Sequence, residues 1–197
     1  MTLCYGTMCL ISGGVMILGK NIYLILTHTG TTWSRIIKKF NDYKYSHVML
    51  SLDDNFDRMY SFGRKKWYNP FVAGFVVEDK DGDFFSFYNK AKCRVYKFAV
   101  TDKQYDDLCK VLDRFEENKH RVSYDIIGVI FRYIGISFKQ KDRYVCTHFV
   151  GTVLKDSGIA PMINKPEELK PQDFETIANR ISSKIIYEGF LRKIPRS

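Results

Sequence analysis

The sequence lacks the features that mark a secreted, membrane-spanning or metal-stapled chain. Its five cysteines (Cys4, Cys9, Cys93, Cys109, Cys146) are odd in number and scattered, which argues against a disulfide framework and for free thiols in a reducing compartment. No two stand at C-x2-C spacing. The four histidines (His28, His47, His120, His148) are far apart except where His148 follows Cys146, so no structural metal is expected. The apolar start carries no Lys or Arg before Lys20 and is broken by Gly13, Gly14 and Gly19. It lacks the basic flank of a secretion signal and the about 20 apolar residues of a membrane span. A cytoplasmic protein is therefore expected. Residues 1–15 are expected to be a disordered or non-native extension, with Met16 as a second candidate start. There is no Pro/Ser-rich linker, repeat or low-complexity tract, so 1–197 reads as one domain.

What is present is globular: 45% hydrophobic and 27% charged residues exclude a disordered or collagen-like chain. Aromatics reach 15%, with 15 Phe and 13 Tyr, which favours a structure with several strands. The formal charge of +9 raises the question of an anionic partner. The basic residues fall in short separate groups (Lys38–Lys39, Arg64–Lys66, Lys139–Arg143, Arg192–Arg196), not in one stripe, and no nucleic-acid readout motif accompanies them. A solvated surface accounts for them, and no nucleic-acid partner is expected, although Arg64–Lys66, just before the hydrophobic loop Trp67–Phe75, could equally attract a carboxylate or phosphate. A membrane surface is less favoured than a small-molecule, peptide or acyl substrate.

Periodicity predicts a buried strand over Asn21–His28 and a short helix from Thr31 or Thr32 to about Phe40. Tyr45–Leu52 and Asp57–Phe62 flank the polar cluster Asp53-Asp54-Asn55 and read as a hairpin. Further strands are expected near Gly74–Glu78 and Arg94–Val100, with Trp67–Phe75 as a hydrophobic loop. Tyr105, Leu108, Val111, Leu112 and Phe115 recur at helical spacing, predicting a helix over Asp102–Glu117 capped by Thr101 or Asp102. Helices are also expected over Tyr124–Ile134, from Cys146 and over Pro171–Asn179, with a last strand over Lys184–Phe190. Strands, then helices, then a strand argue an α+β fold with helices on a mainly antiparallel sheet.

Cys146, Phe149, Val150, Val153 and Leu154 form the stripe of a core-facing helix, so Cys146 points inward. A buried thiol that only packs explains this. The first turn of a helix, where unpaired N–H groups and the dipole stabilise a thiolate, explains it as chemistry. A nucleophilic thiol needs a base. His148, two residues on, points to another side of the helix. His47 is the better candidate, on a strand that alternates Tyr45, His47, Met49 and Ser51 against Ser46, Val48, Leu50 and Leu52. A hairpin symmetric about Asp54 sets His47 opposite Ser61, whose hydroxyl would orient the imidazole as a triad's third member does; a small strand residue explains Ser61 equally well.

These residues carry a resemblance. Y-S-H-V-M-L-S-L-D (Tyr45–Asp53), M-Y-S-F-G-R (Met59–Arg64), Y-N-P-F-V-A-G-F-V (Tyr68–Val76) and Y-V-C-T-H-F-V (Tyr144–Val150) resemble the circularly permuted NlpC-like cysteine peptidases, including YiiX-like proteins, with lecithin retinol acyltransferase a more distant relative. The likeness spans about Tyr23 to Phe190. It implies a papain-like fold, a Cys146 nucleophile, a His47 base, Ser61 as third residue and the Cys146 N–H among the oxyanion donors. Relatives often carry Glu in the place of His148 and a stronger acceptor than Ser61.

The chemistry implied is attack of the Cys146 thiolate on a carbonyl carbon, with His47 moving the proton and neither cofactor nor metal required. The expected function is a thiol hydrolase of the amidase or peptidase class. A thiol-dependent lipid acyltransferase or phospholipase, and a non-catalytic binding domain that keeps the fold, are the alternatives.

Overall fold

Nine residues from Lys20 to His28 set the centre of the molecule, because their apolar run leaves a strand buried on both sides. The computed structural model describes residues 19–30, 43–66, 68–124 and 142–196. Strand β1 (Lys20–His28) sends Ile22, Leu24 and Leu26 into one hydrophobic cluster and Tyr23 and Ile25 into another. A continuous apolar run, rather than an alternating one, is what a strand covered on both faces requires. Around it lie β2 (His47–Ser51), β3 (Met59–Lys66), β4 (Asn69–Glu78), β5 (Lys92–Val100) and β8 (Lys184–Phe190), in the order β4-β3-β2-β1-β5-β8 with every pair antiparallel. A small parallel pair, β6 (Ser123–Tyr124) and β7 (Arg143–Tyr144), stands apart.

Four described helices complete an α+β architecture: α1 (Asp83–Phe87), α2 (Asp102–Glu117), α3 (Cys146–Asp156) and α4 (Asp173–Arg180). Helix α2 starts at the predicted residue because Thr101 forms a full capping box, its hydroxyl accepting from the Gln104 N–H while the Gln104 side chain accepts from the Thr101 N–H. Its buried Leu108, Val111, Leu112 and Phe115 join Val150, Val153 and Leu154 of α3 over the Leu24, Val48, Leu50 and Phe62 face of the sheet. The opposite face carries Tyr23, Ile25, Met49 and Met59, closed by Phe85 of α1 and by Leu191.

Two expectations change. The stretch expected as a loop, 67–75, is mostly the edge strand β4, paired with β3 from Met59↔Glu78 to Arg64↔Ala73. Pro70 is compatible with this because an edge strand can spare an N–H. Helix α1 is unforeseen, since at five residues it is too short for a periodic signal and is held by burial of one side chain, Phe85. The helix expected over 31–40, residues 125–134 of the helix expected from Tyr124, and residues 1–15 lie outside the described residues. Tyr124 itself is in β6. Among the described residues no helix is long and apolar enough to cross a membrane.

Candidate functional site

The β2–β3 hairpin positions His47 and Ser61, and its turn is not the symmetric one the polar cluster suggests. Leu50 pairs with Tyr60 and Ser51 with Met59, two residues beyond the expected register. The shift comes from the loop. Ser51 Oγ donates to the carbonyls of Asp53 and Arg58, and the Asp53 carboxylate accepts from the N–H groups of Asp57 and Arg58. Phe56, at φ +60°, turns its ring back against Tyr23, with centroids 5.3 Å apart. Burying that ring recentres the hairpin one residue later, so Ser61 faces Met49 and Gly63 faces His47.

Ser61 still reaches the imidazole, diagonally. Its Oγ lies 3.2 Å from His47 Nε2 and donates its one proton to the Val48 carbonyl at 2.8 Å. The oxygen can then only accept from the ring, so Nε2 carries the hydrogen and Nδ1 keeps its lone pair. Gly63 makes room: a Cβ there would sit 3.6 Å from His47 Cε1 and 3.6 Å from a Val76 methyl. Burial, then the nearby Arg64 charge, pushes the His47 pKa down to about 4, so the imidazole is neutral across the physiological range.

Cys146 is the first residue of α3. The helix N-cap is Val145, which offers no side-chain acceptor, so the first-turn N–H groups are not consumed by a cap. The thiol is 7% exposed, within the cluster that holds Phe149, Val150 and Val48. Tyr144 and Phe149 both lie 5.3 Å from the Phe62 ring, which sets the first turn of α3 over the part of β3 next to Gly63. The His148 ring stacks on Tyr144, with centroids 4.4 Å apart.

The thiol and the imidazole thus come to one end of the hairpin but from different sides of it. Val48 and Leu50 pack with Cys146, whereas Met49 packs in the opposite cluster, and alternation places His47 on the Met49 side. The His47 ring hydrogen-bonds Ser61. Tyr45, expected on the His47 face, is instead buried in the Cys146 cluster, because the strand begins only at His47.

Other thiols are placed differently. Cys93 is a buried thiol whose pKa burial pushes up to about 12, and Cys109 is a half-buried one; neither is in a disulfide. Two further groups lie near His47: Arg64, which with Lys65 and Lys66 the sequence already offers as able to attract a carboxylate or phosphate, and Glu78, which sequence reasoning missed. Arg64 lies against the Phe84 and Tyr88 rings, 5.6 and 5.3 Å from their centroids, and its NH1 is 3.4 Å from the Tyr88 hydroxyl. Glu78, on the neighbouring strand, has its carboxyl pushed up to about 8 by burial, with Arg64 opposing the shift. Arg64 was marked by its place in the basic run Arg64–Lys66; nothing local marked Glu78. Set against family models, curated proteins and solved structures, the chain matches none of them.

Proposed function

We propose that the protein is a thiol hydrolase of the amidase or peptidase class, with Cys146 as nucleophile, His47 as base and Ser61 holding the ring, on a permuted papain-like arrangement of helix and sheet. The observation that carries this reading is the His47–Ser61 hydrogen bond. It leaves a neutral imidazole with a free Nδ1 lone pair at the end of the hairpin crossed by the first turn of the Cys146 helix. In the proposed reaction the Cys146 sulfur attacks the acyl carbon, and Nδ1 takes the thiol proton and returns it to the departing amine or alcohol. First-turn N–H groups of α3 receive the oxyanion, each such donor being typically worth about 3–4 kcal/mol. Water then releases the acid, and the cycle draws on no cofactor. Closure of the dyad asks the His47 ring to swing past the end of β2.

A second reading, a non-catalytic binding domain, is favoured by the burial of Cys146 among apolar side chains on the far side of β2 from His47. Alkylation by iodoacetamide, read cysteine by cysteine by mass spectrometry, separates the two. The hydrolase reading expects Cys146 to react faster than Cys109 at pH 7 and His47→Ala to slow it by about tenfold or more. Reaction no faster than that of Cys109, unchanged by His47→Ala, leaves only the binding domain.

A further inference from the structure

The β3–β4 hairpin and the segment Gly82–Phe84 line an open cavity of about 470 Å³. Its walls include three successive cations, Arg64, Lys65 and Lys66, together with Glu78, Val76 and Phe84. Among the described residues none of these cations forms an ion pair with a carboxylate, whereas Arg58, Arg94, Arg114 and Arg196 each do. The guanidinium of Arg64 is braced by the Phe84 and Tyr88 rings, which fixes it without neutralising it. Lys65 is seated by Gly74, where a Cβ would come within 2.9 Å of Lys65 Cε and 3.3 Å of Nζ. Of the rim carboxylates, Asp79 accepts from the Asp81 N–H at 2.8 Å and Asp83 sits in the first turn of α1.

We propose that this cavity binds an oxyanion, a carboxylate or phosphate group of a small ligand, through Arg64 with Lys65 and Lys66. The half-buried Glu78 carboxyl, its pKa pushed up to about 8 by desolvation, keeps its proton at neutral pH, so it does not compete for Arg64 and can donate a hydrogen bond where an ionised group would repel the ligand. The site communicates with His47. The Val76 methyl that lines the cavity stands beside the imidazole across Gly63, and the Arg64 charge is one cause of the ring's lowered pKa. An anion on Arg64 offsets that charge, so binding raises the His47 pKa, and by reciprocity protonation of His47 tightens binding. That the anion belongs to an acyl substrate rests on the hydrolase reading; the binding itself does not.

The test follows the His47 ring proton by NMR, assigned with His47→Gln, while inorganic phosphate or N-acetylglycine is added at constant ionic strength. The expected result is a saturable change with at least one probe, the His47 titration moving to higher pH, and binding weakened about tenfold or more by Arg64→Gln. The exposed Lys66→Gln should weaken it by a smaller factor, which keeps the test open should Arg64→Gln fail to fold. The better probe identifies carboxylate or phosphate as the natural group. No saturable change with either probe, or binding untouched by the substitutions, overturns the proposal. Turnover plays no part in the readout, so an inert Cys146 leaves the outcome intact.

Discussion

His47 and Glu78 shift in opposite directions for the same reason, and this makes the pH dependence of folding diagnostic. The His47 pKa falls from 6.5 to about 4, so the unfolded chain binds one more proton than the folded one between those values. Stability from this group is complete above pH 6.5 and is lost as pH drops toward 4. The Glu78 pKa rises from 4.5 to about 8, so here the folded chain binds the extra proton. That contribution is complete below pH 4.5 and is lost as pH rises toward 8. Each group, acting alone, gives a slope of about 1.4 kcal/mol per pH unit within its window, with opposite sign. From these two groups wild type should be nearly flat between pH 4.5 and 6.5 and then lose stability toward pH 8. Relative to wild type, Glu78→Gln should gain stability with rising pH across 4.5 to 8, and His47→Gln should lose it across 4 to 6.5. Both side chains keep some solvent access, so the full spans, at most about 5 kcal/mol for Glu78 and about 3 kcal/mol for His47, are upper limits. Urea unfolding of the three proteins at half-unit steps from pH 4.5 to 8 provides the measurement. Parallel profiles for wild type and Glu78→Gln would refute the assignment of a protonated Glu78, and an unaltered slope in His47→Gln would do the same for the neutral imidazole.

Ser61→Ala should cost about 1 kcal/mol in urea unfolding, because the Val48 carbonyl loses its buried donor, and ¹⁵N NMR should show His47 leaving a single Nε2–H tautomer; one that persists means Ser61 does not position the ring. Cys146→Ala should stay within about 1–2 kcal/mol of wild type while abolishing any hydrolysis, and a much larger loss of stability with turnover intact would mark Cys146 as a packing residue. His148→Ala should leave the Cys146 alkylation rate within about threefold of wild type, since its ring is stacked on Tyr144, and a collapse matching His47→Ala would make His148 the base. Thr101→Ala should lower stability by about 1 kcal/mol through loss of the capping box, read as a lower urea midpoint with an unchanged slope.

Local rules in the sequence determined much of this protein. The apolar run of β1 specified a strand covered on both faces, the capping box at Thr101 and the Leu108–Phe115 stripe specified α2 to the residue, and Cys146 opens α3 as its helical stripe required. These features are decided within a few residues, where hydrogen-bond caps and side-chain period act directly. The tertiary structure alone decided three others. The β2–β3 register depends on Phe56 burying its ring against Tyr23, a contact between residues thirty-three positions apart. The faces on which His47 and Cys146 lie depend on which cluster each neighbouring strand residue joins. The proton on Glu78 depends on desolvation in a cavity assembled by β3, β4 and the chain entering α1, and a sequence carries no measure of dielectric.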